Sequence, residues 1–164
     1  MFRGVIFVIA LSLLFIFSDA PARNTIHKFA VADFMVNPEY SGRLEGVSFY
    51  FGDQSHPDVV ESFGEYRTNK KTNAFNKPDK AACEWVMLSA MLALHERAKS
   101  LGANAVINIK SNYKDNVESS ATQFTCGAGA IMAGVALIGT FVTINEDQTS
   151  QSAPQELKVA PENK

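Results

Sequence analysis

The sequence predicts an α+β fold in which one long buried helix packs on a small, mostly antiparallel sheet of four or five strands. Three observations lead to this prediction. A nearly uninterrupted apolar run within residues 78–101 has the length and the end signals of a helix. Short runs rich in β-branched and aromatic residues precede and follow it. The chain has 164 residues, 46% of them hydrophobic, which is the size and composition of a single globular domain.

The first residues of the chain follow the pattern of a secretory signal peptide. A basic residue precedes an uncharged stretch over residues 5–17, whose helix would be about 20 Å long and too short for the roughly 30 Å bilayer core. Small residues then offer two cleavage points. A cut after Ala20 would leave Pro21 at a poorly tolerated position, so we expect cleavage after Ala22. Residues 1–22 are therefore the predicted signal peptide of an exported, periplasmic protein.

The segment between the predicted cleavage point and the helix gives weaker signals. Residues 24–43 show no sustained period, and we expect them to pack onto the domain. Residues 47–51 predict a strand, because they are rich in aromatic residues and a glycine lies on each side. Residues 53–57 form a loop by composition, and a second strand is predicted near residues 64–68.

The helix is the most strongly indicated element. Pro78 suits its first turn, and Gly102 supplies its stop. Its middle part is apolar around most of the circumference, which is typical of a helix that is buried on more than one side. We therefore expect Trp85, Met87 and Met91 to lie in the core.

Two further strands and a final uncharged segment follow the helix. Residues 105–110 and residues 121–126 predict strands, with a polar turn region over residues 112–120 between them. Residues 126–144 contain no charge and could span a bilayer by length, but many glycines and alanines make them weakly hydrophobic. We interpret them as a small-residue connection that leads into a buried final strand over residues 135–144.

The uncharged segment has one alternative interpretation, and the polar residues after it predict a tail. A membrane-inserting glycine-alanine helix over residues 127–142 is the alternative to the buried strand, although membrane contact is not the expected outcome. Residues 145–164 are polar, contain two prolines and predict a disordered tail. The signal peptide, a single α+β domain over residues 23–144 and this tail account for the whole chain.

Cys83 and Cys126 are the only cysteines, so one intramolecular disulfide is available. Cys83 lies in the second turn of the predicted helix, and Cys126 ends a predicted strand. Export to an oxidising compartment favours their pairing. We predict a structural bridge that fastens the helix to the sheet, since redox pairs usually have only two residues between the cysteines.

Several function classes find no support in the sequence. The formal net charge of −2 gives no reason to expect nucleic-acid binding. The histidines at positions 27, 56 and 95 lack the spacing of a metal site, and the motifs of serine hydrolases, zinc proteases and phosphate-binding loops are absent from the sequence. We therefore predict a protein that is not an enzyme and that has no metal or other cofactor.

One basic stretch leads into the start of the helix and contains a single acidic residue. Its members are Arg67, Lys70, Lys71, Lys77 and Lys80. They form either a solvated loop or a contact surface for a partner, which would be an envelope protein or an anionic envelope polymer. The start of a helix nearby would favour an anion, because its backbone N–H groups are free.

Six sequence motifs resemble a family of small exported bacterial proteins of unknown function, often mislabelled "excinuclease ATPase subunit". The motifs are YFGD at 50–53, GEY at 64–66, TNKKTNAF at 68–75, CEW at 83–85, LGANAV at 101–106 and GAIMAGVAL at 129–137. The chain has no Walker motif and no zinc-binding cysteine set, both of which such an ATPase needs. The resemblance therefore implies an exported protein whose activity is open.

A second resemblance concerns the end of the helix and the strand after it. Residues 98–106, AKSLGANAV, are similar to the YbjQ-type domains and to the envelope-stress sensor lipoprotein of the Rcs system. These proteins pack a helix on a small antiparallel sheet, so the resemblance implies the same for this chain. It does not imply their function, because the lipid-anchor cysteine is missing and only two cysteines remain.

Together these observations favour a non-enzymatic binding or interaction module of the cell envelope. Two alternatives stay open at this point. One is a metal or small-ligand carrier that uses His56, His95 or the cysteines. The other is a membrane-active protein that uses the uncharged segment over residues 127–142.

Overall fold

The computed structural model describes residues 23–145, which form an α+β fold. The predicted signal peptide, and the predicted tail apart from Asn145, lie outside the described residues. The strands are β1 (Asn24–Ala30), β2 (Ser48–Phe51), β3 (Val59–Asn73), β4 (Ala105–Tyr113), β5 (Asn116–Glu118), β6 (Gln123–Gly129) and β7 (Met132–Ile144). The helices are α1 (Val31–Met35), α2 (Pro38–Ser41) and α3 (Asp79–Leu101), with a 3-10 turn at Gly42–Leu44 after α2.

The central strand of the sheet is β7. Along one edge it pairs with β3 over nearly its whole length, and along the other edge it pairs with β6 near its start and with β4 near its end. Strand β1 extends the sheet beyond β6, while β2 and β5 pair with β4. The pairing of β2 with β4 is parallel and the other pairings are antiparallel. The sheet curls into a half-barrel against which α3 packs.

The α+β class, the long helix and the mostly antiparallel sheet are confirmed, but the predicted number of four or five strands is wrong. The sheet has seven strands. Strand β1 escaped prediction because it is an edge strand whose first half is largely exposed, so it lacks a clear apolar alternation. Strand β5 is three residues long and lies within the predicted polar turn region.

The uncharged segment forms parts of two strands. The final buried strand is confirmed, although it begins earlier than predicted, at Met132. The predicted small-residue connection is wrong, because Gly127 and Gly129 belong to β6 and only Ala130 and Ile131 separate β6 from β7. Neither half of the segment is helical. Within residues 23–145, no helix is both long and apolar enough to cross a membrane.

Helix α3 lies across the sheet and supplies much of the core. Met87 and Met91 are fully buried, as predicted. The prediction for Trp85 is wrong, because 43% of its side chain is exposed. The sheet covers one side of α3, and Tyr40 of α2 lies beside the indole, with ring centroids 6.5 Å apart. The helix ends where Gly102 adopts a left-handed conformation with φ of 76°.

The predicted disulfide between Cys83 and Cys126 is confirmed. Both cysteines are fully buried, and their Cα atoms lie 5.9 Å apart. The bridge joins the second turn of α3 to the middle of β6, so it fastens the helix to the sheet across the core.

Candidate ligand-binding site

The structure does not bring the five predicted basic residues to one surface. Successive side chains of a strand point to opposite faces of the sheet, and β3 carries three of the five. Lys70 borders a recess next to α3 that Leu94 and Arg97 also line. Lys71 points to the other face, where its side chain passes over Gly134 of β7. The side chains of these neighbouring lysines therefore lie on different surfaces.

Two of the other basic residues have close partners near the start of α3. Lys77 donates a hydrogen bond to the backbone carbonyl of Asn73 at 3.0 Å. Lys80 lies 3.8 Å from the Glu84 carboxylate, one helical turn further along. These contacts match the solvated interpretation of the stretch, since such surface contacts are typical of exposed basic side chains.

Arg67 shares its sheet face with Lys71, because the two residues are separated by an even number of positions in β3. Its guanidinium is 4.0 Å from the carboxylate of Asp115, and both side chains are largely exposed. Arg67, Asp115 and Lys114 line a shallow recess of about 200 Å³ on this face.

A larger cleft of about 390 Å³ lies on the sheet face that points away from α3. Its floor contains Gly127 and Gly134, which face each other across the β6–β7 pair. Cys126 and Val135 belong to the core beneath α3, so the glycines next to them point the other way. The remaining lining residues are Arg23, Asn24, Lys71, Tyr113, Gly129, Ala130, Ile131, Met132 and Ala133.

The glycines of the floor allow Tyr113 to lie directly on the sheet. A Cβ atom at position 127 would overlap the phenol oxygen of Tyr113, and a Cβ atom at position 134 would lie 3.4 Å from its ring. The phenol hydroxyl donates a hydrogen bond of 3.0 Å to the side-chain oxygen of Asn24. Tyr113 therefore forms a fixed aromatic wall of the cleft.

The charge of the cleft lining is positive, because Arg23 and Lys71 contribute to it and none of its lining residues is acidic. Arg23 is already engaged: its guanidinium pairs with Asp79 and also reaches the carbonyl of Gly129. Within residues 23–145, the side-chain ammonium group of Lys71 has no hydrogen-bond or ion-pair partner. Its ammonium group is therefore the cation that is available to a ligand.

The rim of the cleft at the β6–β7 turn is apolar and open to solvent. The exposed fraction is 64% for Ile131 and 49% for Met132. The backbone N–H of Ala74 donates to the carbonyl of Ile131, which brings the chain after β3 to the same turn. Exposed apolar side chains beside a cation are typical of a site for a ligand with both an apolar and an anionic part.

Asp79 holds the first strand to the start of α3. One carboxylate oxygen pairs with Arg23, and the other lies 2.9 Å from Nε2 of His27. The hydrogen bond from Arg23 lowers the pKa of Asp79 below its ordinary value, and the contact with His27 acts in the same direction. Of this cluster only Arg23 lines the cleft, and its ion pair with Asp79 holds its guanidinium in place.

Another recess, more polar than the cleft and about 340 Å³ in volume, surrounds Glu118. Lys28 donates to one carboxylate oxygen at 2.8 Å, and the Thr125 hydroxyl donates to the other at 2.6 Å. These two hydrogen bonds, the one from Lys28 first, lower the pKa of Glu118. Buried Ser111 accepts a hydrogen bond from the backbone N–H of Thr125. Both carboxylate oxygens of Glu118 are therefore occupied. Through them Glu118, on β5, is joined to Lys28 of β1 and to Thr125 of β6.

The histidines have separate local contacts. His56 lies 2.8 Å from the carbonyl of Pro57, and Nε2 of His95 lies 2.9 Å from the carbonyl of Glu45. In the part of the chain that the structure describes, no group of three or more His, Cys, Asp or Glu side chains could hold a metal ion. The bridged cysteines have no free thiol to offer.

Comparison with known proteins finds no matching family model, no matching curated protein and no matching solved structure. The geometry of the candidate site is therefore the only indication of what it binds. Sequence reasoning selected Lys71 but missed Tyr113 and the paired glycines. The available signal was the cluster of glycines in the uncharged segment, which marks a place where another group approaches the backbone closely.

Proposed function

We propose that this protein is an exported, non-enzymatic binding module of the cell envelope that holds an anionic partner on the sheet face away from α3. The observation that carries the proposal is Lys71. Its ammonium group has no partner in the described part of the chain, and it borders a cleft whose lining residues include no acid. Attraction to a negative group is therefore the electrostatic property that distinguishes this cleft.

Two further observations support the location. The first 22 residues have the basic start, the apolar stretch and the small residues of a cleaved export signal. The disulfide between Cys83 and Cys126 suits an oxidising compartment, where such bonds persist. The contact surface in this proposal contains Lys71 and Arg67, whereas Lys70, Lys77 and Lys80 lie outside it.

The test compares two neighbouring lysines whose side chains lie on opposite faces of the sheet. We expect the wild-type protein to bind poly-L-glutamate at low salt, and we expect the binding to weaken with added salt. Lys71→Gln should weaken it by about threefold, as expected for one solvated charge pair. Lys70→Gln makes the same charge change on the other face and should leave the affinity unchanged. Absence of binding at low salt, or equal losses in both variants, would contradict the proposal.

Location is tested separately by the intact mass of the protein from the envelope fraction, measured after alkylation with and without reduction. We expect a chain that begins at Arg23 and that is alkylated only after reduction. A full-length chain in the cytoplasm with two free thiols would contradict export.

A further inference from the structure

We infer that the glycine-floored cleft binds a single-chain amphiphile, with its anionic head at Lys71 and its alkyl chain along Tyr113, Ile131 and Met132. This inference rests on the proposed function, because it uses the same sheet face and the same cation. It adds the chemical class of the ligand and the part of the surface that recognises it.

Two glycines keep the floor of the cleft low, because no side chain rises from the sheet there. Gly127 and Gly134 are paired across β6 and β7, so two neighbouring positions lack side chains. Tyr113 covers the first of them, and its ring edge lies near the second. The space that remains over Gly134 is bounded by the aromatic ring on one side and by the stem of Lys71 on the other. A narrow, extended group fits such a slot better than a bulky ring.

The walls of the cleft are mainly apolar. Tyr113 contributes its ring, Lys71 contributes the methylene groups of its side chain, and Ile131 and Met132 contribute exposed aliphatic surface. Exposed apolar surface of this kind gains free energy when an alkyl chain removes it from water. The volume of about 390 Å³ has room for about thirteen methylene groups, if each needs roughly the 30 Å³ that a water molecule occupies in the liquid, so a ten-carbon chain fits within it.

The charge of the cleft selects the head group. Lys71 contributes to the lining an ammonium group that has no partner within residues 23–145. Arg23 also lines the cleft and adds positive potential, although its guanidinium is held by Asp79. A carboxylate or a phosphate monoester at the end of the chain would pair with Lys71, while a neutral head would leave that charge without a partner.

The experiment uses the full mature chain and calorimetric titration with monomeric ligands below their micellar concentration. The probes are decanoate and decyl phosphate, with decyl maltoside as the neutral chain and inorganic phosphate as the head without a chain. We expect both anionic amphiphiles to bind. The neutral amphiphile should bind at least about fivefold more weakly, and inorganic phosphate should show no measurable binding.

Three variants link the binding to the cleft. Lys71→Gln should weaken decanoate binding by about fivefold, whereas Lys70→Gln, on the other sheet face, should leave it unchanged. Gly134→Ala raises the floor of the cleft and should also weaken binding. A Cβ atom at that position is 3.4 Å from the nearest side-chain atom, so the fold accommodates it with a small adjustment. Unchanged circular dichroism and thermal midpoint of this variant provide the check.

The outcomes separate the inference from the proposed function. Salt-dependent binding of poly-L-glutamate without binding of decanoate or decyl phosphate overturns the inference and leaves the proposed function standing. Failure of all anionic probes overturns both. Equal affinity for anionic and neutral chains, or binding only to anionic vesicles, overturns the inference. A concentration-dependent dimer that Lys71→Gln or Gly134→Ala disrupts would also overturn it, because a second copy of the chain would then occupy the cleft.

Discussion

At the scale of single residues, the contact between Gly127 and Tyr113 shows how one missing side chain creates a site. The phenol occupies the place of a Cβ atom at position 127 and is anchored by its hydrogen bond to Asn24. The three atoms nearest to that place all belong to the Tyr113 side chain, so the tyrosine is the closest obstacle to a side chain at position 127.

We expect Gly127→Ala to lower the free energy of unfolding by about 1–3 kcal/mol, because the ring must leave its position on the sheet. In a Tyr113→Ala background the same substitution should cost much less, since the overlapping group is gone. Urea denaturation of the four proteins of this double-mutant cycle measures the difference. Equal costs in both backgrounds would mean that another contact determines the requirement for glycine.

Position 52 also requires glycine, but here a side chain would collide with backbone atoms rather than with another side chain. Its φ is +55°, and a Cβ atom would lie 2.7 Å from the carbonyl carbon of Ser120. We expect Gly52→Ala to destabilise the protein by about 1–3 kcal/mol. The matched control is Gly42→Ala, at a position with no atom within 4 Å and an ordinary helical φ of −60°. Thermal unfolding should show a loss for the first variant, and the control should be neutral or slightly more stable.

At the scale of elements, the strongest local signals correctly predicted the helix. The observed helix begins one residue later than predicted, at Asp79. It ends at Leu101, directly before Gly102, as predicted. The length of β3 was underestimated, because its polar and charged second half looks like a loop when its pairing with β7 is unknown. The exposure of Trp85 could not be read from the apolar run, since the run does not reveal how many sides of α3 the sheet covers.

The disulfide is the covalent link between α3 and β6. We expect the Cys83→Ala/Cys126→Ala double variant to lose about 2–5 kcal/mol of unfolding free energy, because the unfolded chain is freed from a loop that spans 43 positions. Urea denaturation of the variant, with the reduced wild type beside it, tests this expectation. If oxidised and reduced wild type unfold at the same urea concentration, the bridge does not stabilise the fold.

The candidate site illustrates the limit of sequence reasoning at this scale. The glycine-rich segment and Lys71 are visible in the sequence, and both border the cleft. Their relation to Tyr113 depends on the curl of the sheet, where β4 leaves β7 after Ser111 and β6 takes its place. No local spacing encodes this exchange of partners, so only the folded arrangement reveals the wall of the cleft.

At the scale of the whole molecule, two ion-pair clusters hold β1 in place. Asp79 joins its beginning to α3, and Glu118 joins its middle to β5 through Lys28. Both carboxyl groups have a lowered pKa in the folded protein, caused mainly by the hydrogen bonds from Arg23 and Lys28 respectively. The edge of the sheet therefore depends on two carboxylates that remain ionised.

This arrangement predicts the direction of the pH dependence. A carboxyl group with a lowered folded pKa stabilises the protein above its unfolded pKa of about 4, and this contribution is lost as the pH falls through the folded pKa. Stability should thus decline below about pH 4. Asp79→Asn and Glu118→Gln should each be less stable than wild type at pH 6 and approach it at pH 2.

Urea denaturation across this pH range measures the effect. Asp53→Asn is the matched control, because Asp53 is exposed and has no ion pair in the described part of the chain. A decline of the same steepness in all three variants and in wild type would show that other groups cause it.

The position of Trp85 determines what the intrinsic fluorescence of this protein reports. It is the only tryptophan of the chain, and it lies on α3 beside Tyr40, whereas the cleft is on the opposite face of the sheet. Its emission should respond to the docking of α2 on α3. A ligand that enters the cleft should leave the emission nearly unchanged, so an optical titration of the binding site requires a reporter of its own, such as a dye attached near Met132.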